Sequence, residues 1–392
     1  MEQKRIYNFD EFFLALYQVP IIKREPPAFL IELRLKLSIV FASGLFIQML
    51  SFLSTILKYY FHDLDLKLNE LSECLAVFVG IWIVIYREFT FIMKKTRIRN
   101  FLKTLEVIFP KNYKDQQTYR LDNYAKEIMG KNKTIRLAIL NATLFILLIP
   151  ICKSIFFWVV SEDNNYQFLY PFVVWNPFGT SSYLGYAVVY CFQAATIFGG
   201  SYSWLKEDII IATSTAQLCM HYRYLGEELS KLDARQGERT NRQLARLVRF
   251  QYNLDSICNE MNEIYSFSNF MTFAFTNICG CMFLFSLANS NDLFKTPVFV
   301  VDIFALMMSV YLRCSMGIKL FDASSNLLYS IYDHNWYEGT PKYRKMVLIM
   351  MIKANRPQTL QAFKMKTVSM EYFKEIIVST YEIFMFLYNV TK

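Results

Sequence analysis

Ten ionisable residues fall inside or at the ends of long apolar runs: Arg87, Glu88, Lys153, Lys206, Asp208, Asp302, Arg313, Lys374, Glu375 and Glu382. A charge among apolar residues is costly when kept from water, and by default it marks a paired group or a water-filled path. Each also has a plainer reading. Arg87 and Glu88 lie near one end of their run, from which a long side chain can reach water while its stem stays among apolar groups. Lys206 and Asp208 read as the point where a long helix leaves an apolar layer. Lys153 and Asp302 lie deeper, where a functional or paired role fits as well as a structural one. Glu382 sits in the last run.

Nothing else assembles an enzyme. The three histidines, His62, His221 and His334, are scattered. There is no His-Glu-x-x-His, no Gly-x-Ser-x-Gly, no phosphate loop and no Gly-x-Gly-x-x-Gly. The eight cysteines are Cys74, Cys152, Cys191, Cys219, Cys258, Cys279, Cys281 and Cys314, nearly all inside apolar runs. Cys279 and Cys281 are too close for a Cys-x-x-Cys pair, and the rest lack zinc spacing. They read as small packed hydrophobes. No metal and no cofactor is expected.

The elements that carry these residues follow from composition. Of 392 residues, 54% are hydrophobic and 17% aromatic, the mean hydropathy is +0.22, and glycine (12) and proline (10) are scarce. Apolar runs long enough to cross ~30 Å of hydrocarbon recur. Only helices or closed barrels satisfy every backbone group in lipid, so the pattern predicts a polytopic helical membrane protein. No cleavable signal of the usual kind precedes residue 35, because residues 1–33 are rich in charge.

Seven spans are expected: 35–57, 71–93, 135–160, from 183 onward, 267–287, 297–320 and 373–390. Between spans two and three, the basic segment 94–133 predicts helices outside the bilayer. Span four is expected to continue as one helix to about 232, with Ile209, Leu218, Leu225 and Leu229 opposite Glu207, Arg223, Glu227 and Lys231. Span five mirrors it with an amphipathic lead-in from Arg239. Gly199 and Gly200 read as a packing or kink site within span four.

Lysine and arginine number 31 on one set of connecting segments and 4 on the alternate set. That bias places the N-terminus inside and the C-terminus outside. It also accounts for the net charge of +9 without nucleic acid or an anionic partner. A G-protein-coupled receptor has the opposite orientation. Its Asp-Arg-Tyr and Asn-Pro-x-x-Tyr motifs are missing, the one Asn-Pro being Asn176-Pro177 in an outer segment. The sequons at Asn132, Asn141 and Asn389 are poorly placed for glycosylation.

The closing stretch carries a pattern. Tyr332 and Trp336 follow the sixth span, and a short basic helix comes next. Arg356 and Pro357 precede Leu360, and Ser369, Phe373 and Tyr381 mark the final helix. This arrangement resembles the C-terminal signature of insect odorant receptors, with a weaker likeness over the whole chain. The fold expected is an all-α membrane protein of seven transmembrane helices, N-terminus cytoplasmic and C-terminus extracellular, with a helical cytoplasmic anchor. Its parts would be a cytoplasmic arm (1–34), spans one to six (35–320), the anchor (321–366) and a pore-lining seventh helix (367–392).

The resemblance implies an odorant-gated cation channel subunit in the plasma membrane of a sensory dendrite. It would open a pore with the odorant co-receptor, as a hetero-oligomer and in the family a tetramer. In that family the final helices of four subunits surround the pore. Glu382, Phe386, Asn389 and Val390, at i, i+4, i+7 and i+8, share one stripe of that helix. A polar group among bulky apolar ones suits a gate that closes by dewetting. Residues 384–389 resemble the co-receptor pattern Phe-Met-Val-Leu-Val-Gln, with Phe386 replacing the narrow-point valine and Asn389 the glutamine. Four phenylalanines would crowd one ring, so the match suits a ligand-selective subunit contributing one helix among others of a different kind. The alternative is that Phe386 faces a neighbouring helix. The short turn at 233–241 agrees with a tuning subunit, because the co-receptor carries an insertion there.

The family's ligand pocket lies in the outer halves of spans two, three, four and six. Here they offer Phe78, Ile81 and Trp82; Ile151, Ser154 and Trp158; Tyr183, Tyr186 and Tyr190; Met308 and Tyr311. These are apolar and aromatic groups with a few hydroxyls, as a small volatile organic ligand needs. Each alone is equally at home in a core. Tyr332, Trp336 and Tyr337 would hold subunits together at the anchor, or pack within one subunit. A gustatory receptor of the same superfamily is the alternative. Thr380-Tyr381 fits its span-seven motif, but Leu387 stands where glutamine belongs. A transporter would show inverted repeats, and none is visible.

Overall fold

The computed structural model describes residues 7–9, 44–54, 57, 68–160, 169–172, 183–290 and 292–391. Most of the N-terminal arm, the start of span one and much of the outer segment 161–182 lie outside the described residues. So does His62.

Helices form where the apolar runs place them. We label them α1 (Gly44–Ser54), α2 (Leu68–Met93), α3 (Lys95–Ile108), α4 (Tyr113–Thr118) and α5 (Leu121–Val160). There follow α6 (Tyr183–Ser230), α7 (Glu238–Asn289), α8 (Lys295–Tyr332), α9 (Pro341–Ala354) and α10 (Met370–Val390). Among the described residues, α2, α5, α7 and α8 are long and apolar enough to cross a membrane. With α1, α6 and α10, the described residues at all seven expected positions are helical.

Several helices run further than their apolar cores. α5 begins 14 residues before the predicted start of its span, at Leu121 rather than 135. α8 continues through Ser324, Ser325 and Asn326 to Tyr332, so the polar, aromatic segment after span six is more of the same helix. No proline or glycine interrupts it there, and Leu327 and Ile331 bury one face.

The inner half of α6 differs from the amphipathic rod expected. Every residue from 207 to 222 is buried, including Glu207, Gln217 and His221. A helix buried on every side is surrounded by others, and here α5, α7 and α8 pack around it, with α3 behind. Burial pushes the His221 imidazole down to about 3. It stays neutral between Tyr119 and Phe250, whose rings lie 5.1 and 5.8 Å away.

The turn from α6 to α7 closes through Gly237, whose φ of +71° lies where a side chain is strained. Asn335 latches this turn to the segment after α8. It accepts from the Ala234 amide at 3.1 Å and donates to Asp233 at 3.0 Å. Arg235 and Glu338 add a forked ion pair, and Arg235 holds the exposed Glu338 carboxyl below its usual range.

One short element is not helical. β1 (Gln361–Ala362) and β2 (Lys366–Thr367) pair antiparallel just before α10. Phe363 and Lys364 turn between them at φ of 50° and 58°. That costly conformation is held from outside. The Phe363 amide donates to Ser266 at 2.9 Å, and its ring packs on Phe267 and Phe270 at 5.3 and 5.6 Å. Asn262 and Asn269 of α7 bond the backbone of Thr359 and Gln361.

Candidate functional site

A cavity of about 530 Å³ opens between α1, α2, α5, α6, α7 and α8. Its walls are mainly apolar: Leu45, Ile81, Val84, Ile139, Ile197, Phe283 and Leu306 among others. Two glycines make room. A Cβ on Gly80 would meet nothing within 4 Å, and one on Gly200 would only reach ordinary contact with Val84 of α2, 3.6 Å away. The polar groups on the wall are Gln48, Asn141, Thr143, Thr196, Ser201, Trp204, Asp208, Asp302 and Ser309. The Thr143 and Ser201 hydroxyls lie 2.8 Å apart, and the Trp204 indole donates to Ser309 at 3.0 Å.

Of the residues the sequence offered for a ligand pocket, Ile81 and Met308 line this cavity. Phe78 is half-buried beside α1. Trp82, Trp158, Tyr183 and Tyr311 are substantially exposed on the outside of the bundle. Tyr311 packs on Phe373 at the foot of α10, with ring centres 5.7 Å apart. Tyr186 and Tyr190 pack with tilted rings 5.6 Å apart near the start of α6, and Tyr186 donates to the Leu169 carbonyl at 3.0 Å. Tyr190 bonds the Leu147 carbonyl. Ser154 is fully buried and Ile151 partly so, both away from the cavity. On α5 and α6 the cavity lies about three turns further in than those positions. Thr143, Gly200, Ser201 and Trp204 were therefore missed, although the glycine pair was a visible signal.

The cavity floor is a buried ionic network. Arg87 is fully buried, so it does not reach out to water. Its guanidinium lies 4.2 Å over the Trp204 ring, donates to Thr272 at 2.8 Å and sits 3.4 Å from Glu207. Arg313 donates through Nε to Asp208 at 2.9 Å, with a second contact through Nη2, and to Asn269 at 2.6 Å. Ser309 donates to Asp208 at 2.7 Å, and Ser268 bonds Glu207. Two arginines and two carboxylates thus join α2, α6, α7 and α8 with no net charge. Nearby, Lys206 pairs with Glu88 at 2.7 Å. Lys153 pairs with Asp292 at the outer end.

The stripe on α10 points away from the rest of the chain. Glu382, Phe386, Asn389 and Val390 are all exposed, Phe386 to 67%. The opposite face, with Ile376 and Thr380, packs on α7 and α8. Asn277 of α7 donates to Ser379 at 2.9 Å and accepts from Thr380 at 2.5 Å. Phe386 therefore does not face a neighbouring helix of its own chain among the described residues.

At the anchor, Tyr332 and Tyr337 are exposed, whereas Trp336 packs against the core. Leu348, Ile349 and Ile352 form an exposed apolar stripe on α9. Exposed large apolar residues grouped on one helix mark an interaction surface more often than chance.

Residues 67–381 match the family model described as 7tm Odorant receptor. The chain is 20% identical over 344 residues to Odorant receptor 67c of Drosophila melanogaster, covering 84% of this chain and 83% of that protein. It is 25% identical over 334 residues to Odorant receptor 85c of the same organism, covering 79% and 80%. Its fold is similar to that of the insect olfactory receptor OR5 from Machilis hrabei in complex with eugenol. That comparison has a TM-score of 0.77 at 14% identity, over 97% of this chain and 96% of the other.

Proposed function

Since this chain belongs to the odorant receptor family, we propose that it is the ligand-selective subunit of an odorant-gated cation channel in the plasma membrane of a sensory dendrite. It binds a small volatile molecule in the cavity between its helices and opens a pore with the odorant co-receptor. The observation that carries this reading is the exposed stripe on α10. A helix buried on one face only, with Glu382, Phe386, Asn389 and Val390 left uncovered, suits a wall shared with other subunits. The exposed residues of α9, with Tyr332 and Tyr337, suit the cytoplasmic contact between those subunits.

Whole-cell current under a panel of volatile odorants, with and without an insect co-receptor, tests this. Fast odour-evoked cation current only in the presence of the co-receptor is expected. Current from this chain alone would overturn the tuning-subunit reading. A second-messenger response without current would overturn the channel.

Two substitutions probe the parts. Gly80→Phe fills the cavity, since nothing stands in the way of a side chain there. It is expected to raise the half-maximal odorant concentration about tenfold, which is ~1.4 kcal/mol of binding. Surface expression is the control, and an unchanged dose response at normal expression removes the cavity from the mechanism. Asn277→Ala removes the α7 partner of two α10 hydroxyls, Ser379 and Thr380. The expected result is a larger odorant-free current relative to the maximum. An unaltered ratio means that this contact does not restrain the helix.

A further inference from the structure

The two carboxylates on the cavity wall are in opposite situations. Asp208, at the inner end, is taken up by Arg313 and Ser309. Asp302, at the outer end on α8, has no hydrogen bond and no ion pair among the described residues. The lysines near that end are already committed. Lys295 pairs with Glu73 at 2.8 Å, and Lys153 with Asp292. Gln48 of α1 lines the same cavity while only 4% exposed, and its Oε1 lacks a partner among the described residues. The cavity therefore offers a carboxylate and an amide oxygen, both acceptors without donors, in walls that are otherwise mainly apolar.

A lone carboxylate in such surroundings is unfavourable until a donor or a cation meets it. A charge-assisted hydrogen bond to nitrogen is the strongest contact available to it. We propose that the cavity selects volatile amines, with the nitrogen at Asp302 and the carbon skeleton against the apolar walls. This rests on the reading of the cavity as the odorant site. Asp302 is then a specificity-determining residue. An alcohol of the same shape offers one neutral donor, and a hydrocarbon leaves the carboxylate unmet. A volume of about 530 Å³ is ample for a one-ring ligand.

Three probes of one skeleton separate these cases: 2-phenylethylamine, 2-phenylethanol and ethylbenzene. Each is titrated against the purified full-length chain, with the unfolding temperature as readout, which does not require a conducting channel. The amine is expected to stabilise most. Asp302→Asn is expected to weaken the amine at least about tenfold while leaving ethylbenzene unchanged. Because Asp302 has no partner to lose, the variant keeps the fold, and its unliganded unfolding temperature checks that. Ethylbenzene or the alcohol matching the amine, or an amine effect that survives Asp302→Asn, overturns the proposal. Gly80→Phe tells the two levels apart. If it leaves all three effects intact, the ligand sits elsewhere and the odorant-site reading fails together with this one. If it abolishes them but Asp302→Asn does not reorder the probes, only the amine inference fails.

Discussion

Replacing Asp208 with alanine is expected to destabilise the protein by ~3–5 kcal/mol, the usual result of removing one partner from a buried ion pair. The variant leaves Arg313 with its Nε and Nη2 unmatched and strips Ser309 of its acceptor. Glu207 alone then faces two buried guanidinium groups, at 3.4 Å from Arg87 and 3.7 Å from Arg313. A loss of that size is a large share of the ~5–15 kcal/mol that holds a typical domain together. Surface expression and the unfolding temperature of the purified chain are the measurements. Most of the protein is expected to be retained inside the cell. The double variant Asp208→Ala with Arg313→Met restores charge balance and is expected to recover part of the loss. Wild-type stability for Asp208→Ala would mean that water reaches this site and the network is not sealed.

The second large effect is expected at Gly317. A Cβ added there would collide with the backbone carbonyl of Val368. A carbonyl cannot rotate away as a side-chain tip can. Val368 is also held in place, because its amide donates to Leu360 at 2.8 Å and the next residue, Ser369, caps α10. Gly317→Ala must push the hairpin and the foot of α10 off α8. Overpacking of this kind costs ~1–3 kcal/mol, and the fixed backbone places it at the upper end. Two other glycines calibrate the result. At Gly280 the nearest atom is the Thr380 methyl at 3.0 Å, which can yield slightly. At Gly130 nothing lies within 4 Å, and alanine is expected to stabilise the helix by ~1 kcal/mol. Unfolding temperatures should rank Gly130→Ala above wild type, then Gly280→Ala, with Gly317→Ala lowest. Equal values for the last two would sink the account of Val368.

The helices were legible because each rests on local pattern. α10 begins at Met370 where the apolar run suggested 373, and α7 begins at Glu238 where Arg239 was expected. The ionic network was not legible for a physical reason. Arg87, Glu207 and Asp208 lie near charged edges of apolar runs, where a buried pair and a solvated end look alike in one dimension, and Arg313 lies inside one with no partner visible on its own helix. Only the rotational phases of four helices, distant from one another in sequence, decide which it is. Glu207 illustrates this: helical spacing put it on the polar face with Arg223 and Glu227, and packing closed over it. The depth of the cavity was hidden in the same way. It depends on where Gly80 and Gly200 leave space, and missing volume has no periodic signature. The strand pair before α10 is two residues long on each side, too short to alternate visibly.

The tether below α10 has a mechanical consequence. Its foot is gripped by α8 through Gly317 and Val368, whereas Phe386 and Asn389 near its far end touch little. A 21-residue helix is roughly 30 Å long. A tilt of about 5° around that foot would carry Asn389 sideways by roughly 2–3 Å and Thr380 by about half as much. The helix is a lever with its fulcrum at its N-terminal end, and the Asn277 contact sits near mid-arm. A displacement small enough to break one pair of hydrogen bonds is thus enlarged at the tip to the width of a side-chain atom or more.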